Sequence, residues 1–229
     1  MNVVILQPSY IPWRGYFHQI YKSDLFIFYD DVQFDKNGWR NRNRIKTNQG
    51  AQWLTIPVYS KGTVSESKPI NEVEICWTKP WNKHHWRGIQ FAYSKAPFFE
   101  RYQPFFEAMF AREPAMLAEF TIDTTIALAR EIGITNTRFM RSSELEGIDG
   151  EKTDRLIQIL SKVGTDHYIS GPSARDYIEQ EKFESAGISL EYMTYDYPAY
   201  EQLYPPYDPQ VSIIDLMMMK GPETLEFII

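Results

Sequence analysis

Val3 to Leu6 is a short unbroken apolar run, and a polar, proline-containing turn follows it. An amphipathic stretch starts around Phe17–Tyr21, and a second apolar run, Leu25 to Tyr29, stops at Asp30-Asp31. Short apolar runs bounded by turn residues read as buried strands. Strand, turn, short helix and strand within about thirty residues make a βαβ unit, which requires parallel pairing. Residues 31–52 lack a helical period and are rich in Asn and Arg, while Trp53–Val58 and Val73–Cys76 read as strands around a Gly62/Pro69 loop. The middle of the chain is helical. Thr78 is placed to cap a helix with Pro80 in its first turn, running through His84, His85, Ile89 and Tyr93 toward Pro97. Further helices are predicted over Phe98–Phe110 and Ala115–Ile132. In the latter, Leu117, Phe120, Ala127, Leu128 and Ile132 keep roughly helical spacing up to a stop at Gly133. The α/β pattern then resumes: a strand near Thr137–Met140, a helix Thr153–Val163, a strand His167–Ser170, a helix from Ser173 and a strand Leu190–Tyr195. The predicted fold is α/β, a Rossmann-like open, mostly parallel sheet in one domain, 1–229, with a helical block inserted at about 78–133.

Composition narrows the function classes. Of 229 residues, 43% are apolar, enough for a sizeable core, and 15% are aromatic. Tyr and Trp rings carry a polar tip on an apolar body, so they suit pockets for planar or sugar-like ligands as well as cores. The net charge of −6 argues against nucleic acid as a partner, because a duplex binder needs a basic surplus to neutralise phosphates. Cys76 is the only cysteine, so no disulfide can form within the chain, and its alternating surroundings read as a strand position. The first apolar run is too short for a signal-peptide core or a membrane span, which predicts a cytoplasmic protein with no membrane span.

Several motifs carry candidate chemistry. Gln7-Pro8-Ser9-Tyr10-Ile11-Pro12-Trp13-Arg14-Gly15-Tyr16 follows the first strand and opens the first helix. In a parallel sheet, ligands sit beyond the carboxyl ends of strands, where helix N-termini offer free N–H groups to anions. Ser170-Gly171-Pro172-Ser173-Ala174-Arg175 repeats that logic: two hydroxyls, a bare backbone and a bidentate cation suit a phosphate or carboxylate, although Ser173 is equally a plain helix cap. Lys36 to Lys46 holds five basic residues and no acid. If this segment is extended, Arg40, Arg42 and Arg44 share one face and Asn41 and Asn43 the other, and aligned guanidiniums suit a diphosphate. Asp30 and Asp31 could hold Mg²⁺ or orient a substrate; alternatively they pair with these arginines in a solvated hairpin. Of His84 and His85, His85 shares the face of Trp81, Ile89 and Tyr93 and is the candidate general base. No cysteine or carboxylate lies at zinc-ligand spacing near them, and no metal ligands are assigned. His18 and His167 read as structural or surface residues. Ser212 is placed to cap a last helix containing Asp215.

Taken together, Gln7-Pro8 with Pro12 and Gly15-Tyr16, Asp30-Asp31-Val32-Gln33, Gly38-Trp39 with Asn43-Arg44-Ile45, Tyr168-Ile169-Ser170-Gly171 with Ser173, and Ser212 with Asp215-Leu216 resemble the WbqC-like family over essentially the whole chain. Where the family pattern leads one to expect a histidine before Pro198, this chain has Tyr197. The first loop also looks like the His-x-Gly-His entry loop of nucleotidyltransferases and pantothenate-synthetase-like ligases. Gly15 would match the glycine, with Trp13 and Tyr16 in place of the histidines. The family resemblance implies work in bacterial O-antigen or other surface-polysaccharide synthesis, as a transferase adding an acyl or aminoacyl group to a nucleotide-linked amino sugar. Gln7, Tyr10, Gly15, Tyr16, Gln33, Trp39, Arg42, Asn43, Arg44, Ser170, Gly171, Ser173 and Arg175 are the expected substrate- and phosphate-binding residues, with His85, Asp30 and Asp31 catalytic. An ATP-dependent amide ligase and a non-catalytic nucleotide-sugar-binding accessory protein are the alternatives. The partner is a small nucleotide sugar, with Mg²⁺ as the one candidate cofactor and self-association open.

Overall fold

A computed structural model describes residues 1–59 and 67–229; Gly62 of the expected loop lies outside the described residues. The strands are β1 (Asn2–Leu6), β2 (Leu25–Phe28), β3 (Arg42–Thr47), β4 (Gly50–Thr55), β5 (Arg138–Arg141), β6 (His167–Ser170) and β7 (Ser189–Tyr192). The helices are α1 (Arg14–Lys22), α2 (Trp81–Tyr93), α3 (Phe99–Phe110), α4 (Leu117–Glu131), α5 (Lys152–Lys162), α6 (Gln180–Ser185) and α7 (Ile213–Lys220). Five strands form one sheet in the order β5-β2-β1-β6-β7, every neighbouring pair parallel. From β1 the chain winds outward through β2 to β5, then returns to β6 and β7 on the other side of β1. This is the doubly wound Rossmann-like arrangement, with its topological switch between β1 and β6.

Residue alternation decides which side chains meet which helices. Parallel partners in register share a face, so Val4, Phe26, Phe28 and Ile169 enter one core while Val3, Ile5, Leu25, Ile27 and Tyr168 enter another. The first core takes Phe17 and Ile20 of α1 together with α2–α4 and α7. The second takes Leu156, Ile159 and Leu160 of α5 and Phe183 of α6. Both faces of the sheet are covered, which is why β1 and β2 are continuously apolar rather than alternating.

Several expected elements are corrected. α2–α4 form the helical block where it was expected, and the β2-to-β5 connection also contains the antiparallel β3–β4 hairpin ahead of them. Val73–Cys76 is not a ladder strand: Glu74 and Ile75 make only isolated bridges to Met116 and Val58. Cys76 is partly exposed rather than core. Pro80, not Thr78, occupies the cap position of α2. The helix expected from Ser173 is a five-residue 3-10 turn, Pro172–Asp176, ahead of the short α6. The last sheet strand ends at Tyr192, three residues earlier than expected.

Ser212 caps α7 as expected, accepting a hydrogen bond from the Ile214 N–H at 3.2 Å. Asp215 is fully buried in the first turn and accepts from Tyr93, Tyr200 and Gln202 at 2.9, 2.6 and 2.9 Å. These bonds, with Ser212 N–H to Arg44 C=O and Ile213 N–H to Pro12 C=O (both 2.8 Å), hold the C-terminal segment over the first loop and the hairpin. Among the described residues, no helix is long and apolar enough to cross a membrane.

Candidate functional site

A cleft of about 450 Å³ opens at the carboxyl ends of β1 and β6, at the switch point of the sheet. One wall comes from the loop after β1 and from α1: Gln7, Ser9, Pro12, Trp13, Tyr16 and Gln19. A second comes from Gly171, Pro172 and Ser173 after β6, with Tyr195 after β7. The third is Trp39, Arg40 and Asn43 at the start of the hairpin, closed by Gln210 of the C-terminal segment.

The first loop is held in place by backbone bonding. The Tyr10 N–H donates to Trp39 C=O at 3.0 Å. The Asn43 side chain, 3% exposed, donates to the carbonyls of Tyr10 and Ile11 at 3.1 and 2.9 Å, and its oxygen accepts from the Arg44 N–H at 2.8 Å. Ile11 sits at φ 36°, a left-handed conformation that costs a β-branched residue roughly 1–3 kcal/mol and persists only where its surroundings enforce it. Tyr16 donates to Gln7 C=O at 3.1 Å. Gly15 is required by close approach, since a Cβ there would lie 2.3 Å from the Trp13 ring. Trp13 meets Tyr195 edge-on at 5.0 Å.

Charge in the cleft is carried by Arg40, whose side chain is 13% exposed. Its Nε lies 3.4 Å from the Asp35 carboxylate but without hydrogen-bond geometry. Burial lowers the guanidinium's affinity for its proton, and Asp35 partly offsets this. A Cβ at Gly38 would meet the exposed Asp35 carboxylate, which would have to swing away from Arg40. The N-terminus of α1 opens beside the cleft with no side-chain cap and no acidic residue in its first turn, leaving its partial positive charge for an anion. Deeper in, Gln19 is 4% exposed; its Nε2 donates to the Tyr195 hydroxyl at 2.8 Å, and its Oε1 is buried without a partner. Burial pushes the Tyr195 phenol up to about 12.

The expected site residues divide sharply. Gln7, Tyr16, Trp39, Asn43, Gly171 and Ser173 line the cleft, and Gly15 seats Trp13. The others lie elsewhere. Tyr10 is a core residue whose hydroxyl pairs with His85 Nδ1 at 2.8 Å. His85 packs between Tyr10 and Trp81, and burial pushes its imidazole down to about 4. It is neutral at pH 7 but does not reach the cleft. Asp30 accepts from the backbone and side chain of Ser143, its own N–H donates to the Ser142 hydroxyl, and burial raises its carboxyl. Asp31 accepts from Ser142 and pairs with Arg155 at 2.6 Å. Their oxygens are thus engaged with serines and an arginine, and no group of three or more His, Cys, Asp or Glu suited to a metal occurs among the described residues. Gln33 is exposed and bridges Pro69. Arg44 donates to Gln210 C=O at 2.7 and 3.1 Å, and Arg42 donates to Asn37 C=O. Ser170 is turned to Tyr168, and Arg175 stacks on Tyr192 at 4.8 Å.

Gln19, Tyr195 and Gln210 were not among the expected site residues, and Trp13 was named only as part of the first-loop motif. Gln19 had a usable signal, lying three residues after Tyr16 and so on the same helix face. Tyr195 and Gln210 arrive from distant segments and had none. Tyr197, found where a histidine was expected, bonds His18 Nδ1 at 2.8 Å, so an imidazole stands nearby but comes from α1.

Comparison with known proteins adds lineage. The profile of the WbqC-like protein family matches residues 7–227. "Uncharacterized protein Rv1507c" of Mycobacterium tuberculosis is 40% identical over 229 residues, covering 99% of this chain and 97% of that protein. No solved structure matches significantly.

Proposed function

The chain belongs to the WbqC-like protein family, and on that premise we propose that it binds a nucleotide-linked amino sugar in the switch-point cleft and transfers an acyl or aminoacyl group to the sugar amine, in the synthesis of a bacterial surface polysaccharide. The supporting observation is the cleft itself: it lies where doubly wound sheets take nucleotides, with the α1 N-terminus and the Arg40 guanidinium available to the phosphates. Transfer forms an N–C bond, breaks the bond from the acyl carbon to its leaving group, and releases one amine proton to that group or to water. Among the described residues, the lining contains no carboxylate, histidine or thiol. Partial burial favours an uncharged amine, so the nucleophile can be neutral without a dedicated base. Asn43 and Tyr16 position the loop rather than react. That same lining favours one second reading, a non-catalytic nucleotide-sugar-binding protein of a polysaccharide assembly.

Thermal unfolding with uridine diphosphate, a uridine diphosphate amino sugar, pyrophosphate and an acyl-pantetheine thioester, a donor without a nucleotide, separates these readings. A nucleotide at 100 times its Kd should stabilise by about 2.7 kcal/mol, and Arg40→Gln should weaken its binding roughly 10- to 150-fold. An N-acylated sugar detected by mass spectrometry supports the transferase. Binding without product under any donor supports the accessory role. No shift with any nucleotide, alongside a shift with the acyl donor alone, overturns the phosphate reading.

A further inference from the structure

Two indoles stand uncovered at the cleft mouth. Trp39 is 43% exposed and Trp53 44% exposed, and their rings lie 5.4 Å apart at 31°. Trp39 lines the cleft; Trp53 is its neighbour on β4. Trp53 is paired in register with Arg44 across the hairpin, and the guanidiniums of Arg42 and Arg44 lie 4.5 and 5.5 Å from its ring centre. Strand alternation explains this: Arg42, Arg44 and Trp53 share one hairpin face, while Asn43 and Leu54 turn into the protein. The two arginines are therefore committed to an aromatic ring and to backbone carbonyls, and the ladder they build ends on Trp39, at the cleft.

We propose that Trp39, supported by Trp53 and by Arg42 and Arg44 stacked against it, is a base-stacking subsite that binds the nucleobase of a nucleotide ligand. The proposal rests on the nucleotide reading above and adds the orientation. Hydrogen-bonding groups lie at the deep end in the buried Gln19 and the Tyr195 hydroxyl it bonds, with the Ser173 hydroxyl on the exposed rim, and there a sugar's hydroxyls and amine find partners. Arg40, next to Trp39 in the chain, takes the phosphates. The mouth offers mainly ring face, which suits a planar base and is indifferent to which base it is.

The test titrates the whole protein with uridine and adenosine monophosphates and, as the baseless control, ribose 5-phosphate, following tryptophan fluorescence and calorimetric affinity. Both nucleotides should quench fluorescence. Trp39→Ala should weaken them roughly 5- to 150-fold, about 1–3 kcal/mol, and leave ribose 5-phosphate unchanged. Trp39→Phe should retain most of the affinity, and Trp53→Ala should show a smaller loss. Both indoles are exposed, so these variants should unfold at the wild-type urea midpoint; if Trp39→Ala does not, Trp39→Phe and Trp53→Ala carry the comparison. Equal loss for nucleotide and ribose 5-phosphate would mean that Trp39 reads the sugar, and the subsite falls. Wild-type nucleotide affinity in Trp39→Ala overturns the subsite alone. Absence of nucleotide binding to the wild type overturns the nucleotide reading and this subsite with it.

Discussion

Asn43→Ala tests whether the cleft's first loop is held by one buried amide. The wild-type side chain satisfies the carbonyls of Tyr10 and Ile11, and its oxygen takes the Arg44 N–H. Truncation leaves two carbonyls without their donor. An orphaned buried polar group costs about 1–3 kcal/mol, but the cleft lets some water reach this one, so the low end applies to each, roughly 2–3 kcal/mol together. The strain at Ile11, held at φ 36°, can then relax by letting the loop move, which caps the loss but displaces Ser9 and Pro12 from the cleft wall. For a chain of this size, 2–3 kcal/mol corresponds to a fall in Tm of roughly 4–12 °C. Asn43→Asp should be worse than Asn43→Ala, because a carboxylate would face two carbonyl oxygens. Urea unfolding followed by circular dichroism measures the stability, and nucleotide titration of the same samples measures the cleft. A loss under 0.5 kcal/mol, or Asp tolerated better than Ala, would show that the loop keeps its shape without this amide and refute the argument.

Three other outcomes follow from single contacts. Burial holds His85 at about 4 in the folded protein against an unfolded value of 6.5, so the unfolded chain takes up the proton first as pH falls. Its contribution is present above pH 6.5 and is lost between 6.5 and 4, about 3 kcal/mol in all, and His85→Gln should show a correspondingly flatter loss of urea stability over that window; identical pH profiles would place the acid sensitivity elsewhere. Gly15→Ala gains up to about 1 kcal/mol of helix propensity but drives a methyl into the Trp13 ring, so ligand affinity should fall while Tm changes little; unchanged affinity would mean Trp13 is no part of the site. Asp215→Leu strands three donors near the buried Lys46 and should cost about 3–5 kcal/mol by urea titration; a cost under 1 kcal/mol would mean the C-terminal segment is anchored by other contacts.

Local pattern sufficed for the sheet. β1 and β2 are short apolar runs beside turns, β5 and β6 are short runs rich in β-favouring residues, and the βαβ order demands parallel pairing, so these four were legible to within a residue or two, as were α3, α4, α5 and the cap at Ser212. The Asn/Arg alternation in the hairpin segment was legible too, because a strand's two faces are written two residues apart. Tertiary structure alone decided what those faces touch. Arg42, Arg44 and Arg40 share a type and a periodicity, yet the first two meet Trp53 while Arg40 lies in the cleft wall, because the backbone leaves the ladder between Arg40 and Arg42. His85 lay on the inward face as its helical spacing implied, but inward meant the aromatic core and Tyr10 rather than the site. Asp30 and Asp31 found Ser142, Ser143 and Arg155 more than a hundred residues away. Periodicity reports that a side chain is buried. Which partner it is buried against depends on how β2, β5, the hairpin and the C-terminal segment converge, and that is a property of the whole chain.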